Sequence, residues 1–183
     1  GFCNTLNEII NKEHPTHIGV AFDHGKTFRH EAFPEYKAQR EETPEDIKLS
    51  VPIIKELLTA FNIPIFQCDG FEADDVIGTL ATKAGAMGIE TYMLTPDKDY
   101  GQLVTENVFI YRPRHGGGYD IIGAGQIEEK YGIKSPAQVI DLLALMGDKA
   151  DNFPGCPGVG EKTAVKLIND FGSVEELISR SAE

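Results

Sequence analysis

Three stretches of this chain are short, apolar and rich in β-branched residues: Ile18-Gly-Val-Ala-Phe-Asp23, Ile63 to Cys68, and Thr91 to Thr95. Runs of that length without alternation suit strands buried on both faces of a parallel sheet. Between them the period becomes helical. Thr43-Pro44-Glu45-Asp46 supplies an N-cap hydroxyl, a proline at the first helical position and acids in the first turn. Ile47, Ile54, Leu58 and Phe61 then recur at spacings of seven, four and three, which predicts one buried stripe, with a kink or split at Pro52. Glu72 to Ala86 predicts a second helix that buries Val76, Ile77, Leu80 and Ala84, and Leu6 to Lys12 reads as the tail of another. His24 to Glu42 is polar and weakly periodic, the pattern of an exposed connection. Strand, helix, strand in repetition predicts an α/β fold: a parallel sheet flanked by helices, with functional groups at the carboxyl ends of the strands.

The pattern changes after Thr95. Val108 to Ile122 predicts a hairpin turning at Gly116-Gly-Gly118, and from about Gly125 the chain reads as purely helical. Ser135-Pro136 caps a helix running to Met146, Gly147-Asp148 ends it, and Thr163 to Phe171 forms another behind a glycine-rich turn. This divides the chain into an α/β domain, 1–124, and a small all-α subdomain, 125–183.

A chain of 183 residues, 41% of them hydrophobic, can bury a core. Its apolar runs are far shorter than a membrane span. With no secretory leader in view, the expectation is a cytoplasmic protein, a monomer with no membrane partner. Cys3, Cys68 and Cys156 are an odd number at wide spacing and fit reduced thiols, with Cys68 and Cys156 read as small core or turn residues. The net charge of −12 argues at first against nucleic acid, yet eight clustered acids account for two thirds of it.

Those eight carry the candidate chemistry: Asp23; Glu72, Asp74 and Asp75; Asp97 and Asp99; Asp148 and Asp151. All fall where an element begins or ends. Gathered carboxylates repel, and a hard cation such as Mg²⁺ or Mn²⁺ relieves the repulsion. Two such ions about 4 Å apart stabilise both oxygens of an in-line phosphoryl displacement. Taken alone, the Glu72 cluster serves a helix dipole as readily as a metal. Gly155-Cys-Pro-Gly158-Val-Gly160-Glu-Lys162-Thr163 lets backbone amides approach a phosphate. Because Glu161 intervenes before the lysine and no strand precedes, it is not a nucleotide P-loop. It reads instead as a helix-hairpin-helix turn or a plain αα-hairpin, with Lys162 and Lys166 on one helix face. Arg29, Tyr36, Lys37 and Arg40 form a basic and aromatic stretch, either a solvated loop or one that neutralises phosphates and stacks Tyr36 on an unpaired base.

Taken in order, Val20-Ala-Phe-Asp23 with Lys26-Thr-Phe-Arg29, Tyr36-Lys37 with Arg40, Glu72-Ala-Asp74-Asp75, Asp97-Lys-Asp99, Gly147-Asp148-Lys-Ala-Asp151-Asn152 and Gly158-Val-Gly160-Glu-Lys-Thr163 resemble the 5′ nuclease domain of the flap endonuclease family, of the kind found at the amino end of bacterial DNA polymerase I. The resemblance implies a PIN-like (resolvase-like) sheet followed by a helix-hairpin-helix (SAM-like) subdomain. It further implies a nuclease of 5′ flaps, RNA primers and nicked duplexes in replication and repair. Two Mg²⁺ or Mn²⁺ ions would be held by Asp23, Glu72, Asp74, Asp75, Asp97, Asp99, Asp148 and Asp151. Arg29, Tyr36, Lys37 and Arg40 match the helical arch and its base, with Lys37 and Arg40 able to offset charge on the transferring phosphate. Gly158, Gly160, Lys162, Thr163 and Lys166 match the element that grips duplex backbone, with K⁺ at its turn. A polymerase domain of the same parent chain is the implied partner. The family opens with a strand bearing one more metal-binding aspartate, and this chain begins inside the next helix, which predicts impaired cleavage. Remaining alternatives are a PIN-type RNA nuclease, a nucleotide-sugar transferase with its Asp-x-Asp motif, and a non-catalytic DNA-binding module.

Overall fold

The computed structural model describes residues 1–181. It divides into two compact units, one comprising Gly1–Pro34 and Gln39–Val76, the other Glu35–Ala38 and the chain from Ile77 onward.

In the first unit, helix α1 (Phe2–Glu13) precedes strand β1 (Val20–Ala21). The segment read as an exposed connection holds a short helix, α2 (Phe28–Ala32), behind a buried Thr27. Helix α3 (Glu45–Ala60) then leads to β2 (Ile65–Phe66), which pairs in parallel with β1, a pairing that requires such a crossover. Leu6, Leu58 and Ile63 form the buried centre, with Ile10, Ile18, Val20, Ile54 and Ile65 packed around them. Pro52 does not split α3, and Thr43 does not cap it: Pro44 occupies the cap position and makes no side-chain cap bond. The predicted stripe is half right, since Ile47 and Phe61 are exposed.

Helix α4 (Ala73–Ala86) has its first turn in the first unit and its remainder in the second. Its buried positions are Gly78, Ala81 and Gly85, while Leu80, expected inside, is exposed. Small residues three and four apart let neighbouring side chains come close to the helix backbone. A Cβ at Gly85 would strike the side chain of Val108, and one at Gly78 would come within 3.1 Å of Leu103 Cδ1.

In the second unit, β3 (Thr91–Leu94) pairs in parallel with β4 (Val108–Pro113), and β4 in antiparallel with β5 (Tyr119–Ile122). The hairpin turns where expected, and Gly116, Gly117 and Gly118 all have positive φ. Helix α5 (Ala124–Tyr131) and a 3₁₀ turn (Pro136–Gln138) lead into α6 (Val139–Met146). Beyond α6 the chain is not purely helical, because β6 (Gly147–Asp148) and β7 (Phe153–Pro154) pair in antiparallel before α7 (Glu161–Phe171) and α8 (Val174–Ser179). Met93, Val108 and Ile110 of the sheet share one core with Val139, Leu142, Ala164 and Ile168 of the helices. The fold is thus α/β, with parallel strand pairs and flanking helices, running into a helical carboxyl-terminal part.

Candidate functional site

In the first unit the acids meet at the start of α4. Asp23 lies just beyond β1, and its Oδ1 accepts from the amide of Ala73 at 2.7 Å, an anion placed on a helix N-terminus. Asp75 Oδ2 accepts from the Glu72 amide at 2.9 Å. Glu72 is buried at 8% exposure, and Asp74 is exposed. Arg29 of α2 grips Asp75 with both guanidinium nitrogens, Nη1 to Oδ2 at 2.6 Å and Nη2 to Oδ1 at 2.7 Å. Its Nη1 also stands 3.8 Å from Glu72 Oε2. A planar fork on a carboxylate is the strong form of this contact, and it lets two acids approach. Local structure aims Arg29: the Phe28 amide donates to Gly70 O at 2.9 Å, and the guanidinium lies over the Phe28 ring at 4.6 Å.

In the second unit, Asp97 caps a 3₁₀ helix (Lys98–Leu103) by accepting from the Asp99 amide at 2.9 Å. Lys98 then bridges two carboxylates, with Nζ 2.8 Å from Asp148 Oδ2 and 3.4 Å from Asp99 Oδ1. That Asp99 oxygen is buried and forms no hydrogen bond. Burial pushes the Asp99 carboxyl above its ordinary range, with Lys98 opposing. Burial acts on Asp148 in the same sense, but the hydrogen bond from Lys98 and the amide of Ala150 outweigh it and hold that carboxyl below the ordinary range. For Lys98, burial would favour the neutral amine, yet its two carboxylate partners prevail and raise its pKa.

The β6–β7 pair carries Asp148 on its first strand and Asp151 in its turn. Gly147 and Gly155 cross so closely that a Cβ on either would meet the other strand's backbone, and the four residues between Asp148 and Phe153 form the turn. Glu35–Ala38 is tied to that turn. The Lys37 amide donates to Asp151 O at 3.0 Å, the Tyr36 hydroxyl to Asp151 Oδ2 at 3.0 Å, and Asn152 Nδ2 to Glu35 O at 2.8 Å. Lys37 adopts φ +55 to make the turn, and its Nζ stands 4.0 Å from Asp151 Oδ2. Tyr36 is therefore 5% exposed, with its ring inside the fold rather than offered to a base. Arg40 is exposed.

Behind them, Gly158 has φ +80, Gly160 is the N-cap of α7, and neither has a neighbour where a side chain would stand. Lys162, Thr163 and Lys166 are exposed on α7, an open turn with cations on the following helix. Cys68 and Cys156, expected in core or turn positions, are exposed free thiols, as is Cys3.

Among the described residues, no three His, Cys, Asp or Glu side chains stand in a geometry that holds a metal ion. The acids are offset instead by Arg29, Lys98, Lys37 and local amides. The donor chemistry nevertheless suits a hard divalent ion, since every candidate is a carboxylate and the Asp99 oxygen is buried without a hydrogen bond. Sequence reasoning missed Lys98, whose only signal was its place inside Asp97-Lys-Asp99. No described helix is long and apolar enough to cross a membrane.

Two family models match the chain: the 5′-3′ exonuclease N-terminal resolvase-like domain over residues 1–132, and the 5′-3′ exonuclease C-terminal SAM fold over residues 134–183. The chain is 46% identical to DNA polymerase I of Bacillus caldotenax across 98% of its own length and 20% of that protein. It is 40% identical to a 5′-3′ exonuclease of Aquifex aeolicus across 97% of its length and 61% of that protein. It thus spans about a fifth of the polymerase relative. A solved structure of the flap endonuclease of bacteriophage T5, a pseudo-enzyme–product complex with DNA and metal ions, superposes with a TM-score of 0.77 at 26% identity, covering 97% of this chain and 68% of that one. With models matching nearly every residue, the chain belongs to the 5′-3′ exonuclease family.

Proposed function

We propose that this chain is the nuclease part of a larger protein and hydrolyses DNA phosphodiesters at 5′ flaps and RNA primers, using two Mg²⁺ or Mn²⁺ ions. One observation carries the reading beyond family membership: in each unit, carboxylates presented at the ends of elements are bridged by a basic side chain, Arg29 across Glu72 and Asp75 and Lys98 across Asp99 and Asp148. In this reading Asp23, Glu72, Asp74 and Asp75 of the first unit, and Asp97, Asp99, Asp148 and Asp151 of the second, hold the ions. When bound, divalent ions would offset charge on the phosphate oxygens.

The side chains do the rest. Lys37 and Arg40 neutralise charge growing on the transferring phosphate, and Arg29 adds to the positive potential that receives it. The amides around Gly158 and Gly160, together with Lys162, Thr163 and Lys166, bind the duplex backbone without reading bases, with K⁺ at the turn. Grip falls to the glycine turn and α7, within 125–183, whereas cleavage draws on acids from both 1–124 and 125–183. A polymerase domain on the same parent chain and the DNA complex of the T5 relative fit this assignment.

The test is a 5′-flap duplex and an RNA of the same sequence incubated with the chain in Mg²⁺, in Mn²⁺ and in chelator. Metal-dependent release of the flap is expected, with loss of cleavage in Asp148→Ala. Cleavage of RNA alone would favour a PIN-type RNA nuclease, and binding without cleavage in either metal would favour a DNA-binding module.

A further inference from the structure

Lys98 sits in a position that an ordinary surface ion pair does not. Its ammonium touches two carboxylates about fifty residues apart, Asp148 at 2.8 Å and Asp99 at 3.4 Å. Asp148 retains 13% side-chain exposure and Asp99 31%, whereas the lysine, at 49%, has solvent to move into. The Asp99 oxygen that faces Lys98 makes no hydrogen bond, so the ammonium is the charge set against it. Asp148's other oxygen is already committed to the Ala150 amide at 2.6 Å. A compact cation at hydrogen-bond distance from one carboxylate and in ion-pair contact with a second occupies the space that a divalent ion shared by those carboxylates would need. Two cations there would repel strongly at this partial burial. A lysine suits an exchangeable role better than an arginine, because its charge sits at the end of a flexible stem and needs no planar partner.

We propose that Lys98 is an internal counter-cation, holding Asp99 and Asp148 together in the metal-free chain and giving way when a divalent ion binds them. This rests on the metal reading of the second-unit acids. Lys98 is thus a positioning residue: it keeps the carboxylates assembled and lowers their affinity for metal. Once displaced, it adds a positive charge at an exposed position, available to a DNA phosphate.

The experiment uses the full chain and Mn²⁺ alone as the probe, measured by calorimetry and by the loss of free-ion resonance, for wild type, Lys98→Met and Lys98→Arg. Lys98→Met is expected to bind Mn²⁺ at least tenfold more tightly than wild type. It is also expected to melt at a lower temperature in chelator and to recover that loss in saturating Mn²⁺. Lys98→Arg, which keeps the charge, is expected to bind no more tightly than wild type. Equal or weaker Mn²⁺ affinity in Lys98→Met overturns the proposal while leaving the metal reading intact. Absence of Mn²⁺ binding in all three chains overturns both. Binding in Lys98→Met but not in wild type supports the proposal in its strongest form. If Lys98→Met does not fold, as judged by circular dichroism, Lys98→Gln takes its place with the same expectations.

Discussion

A partly buried carboxylate is stable only where something offsets its charge, and Asp99 and Asp148 meet that demand unequally. Asp148 accepts from Lys98 and from the Ala150 amide, and its pKa is lowered. A lowered carboxyl contributes stability that is complete above its unfolded pKa, about 3.9, and is lost as pH falls through the still lower folded value. Asp148→Asn should therefore cost about 1–2 kcal/mol near pH 7, and thermal melts in chelator should show the gap to wild type closing below about pH 4. Asp99 has the opposite sign. Its carboxyl is raised by burial, so stability falls as pH climbs from the ordinary carboxylate value through the folded one. In chelator at neutral pH, Asp99→Asn should gain about 1 kcal/mol by removing a charge whose buried oxygen has no hydrogen bond. A drop in melting temperature there would contradict this account. Charge pattern along the chain marked both residues as special, but not which would be comfortable, because that depends on where Lys98 Nζ comes to rest.

At the scale of elements, α4 shows where pattern reading stops. Counting large apolar residues put Leu80 inside, whereas the face that packs is made of Gly78, Ala81 and Gly85. Hydrophobic periodicity weighs what a side chain buries and is blind to a face that is valuable for having no side chain. Gly85→Ala gains about 1 kcal/mol of helix propensity, but its methyl would collide with Val108, a buried β-branched residue with little room to turn. A net loss of about 1–2 kcal/mol is expected from overpacking. Gly78→Ala meets only the end of Leu103, at 3.1 Å, and should stay close to wild type. Denaturant melts of the pair separate the two effects. The β6–β7 pair was equally hidden, since two strands of two residues carry no period at all, and only the crossing of Gly147 and Gly155 creates them. By contrast, β4–β5 was legible because three consecutive glycines with positive φ announce a turn between apolar runs.

For the molecule as a whole, a net charge of −12 would repel DNA if it were evenly spread. The duplex binding proposed above would therefore rest on local cations, and α7 displays two, Lys162 and Lys166, one turn apart beside an open glycine turn. The double substitution of both to alanine should weaken duplex binding similarly for any base sequence. It should also reduce the slope of log affinity against log salt by about 2. An unchanged slope would remove α7 from the DNA interface. The amino-acid order by itself determined the α/β class, the strand–helix alternation, the β4–β5 turn and the identity of the acids, because these follow from local period, turn chemistry and charge. The tertiary structure alone decided which cation each acid meets, that Tyr36 is held inside by Asp151, and that glycines form the packed face of α4. Those outcomes depend on contacts between residues tens of positions apart, such as Arg29 with Asp75 and Lys98 with Asp148, whose distances no local pattern encodes.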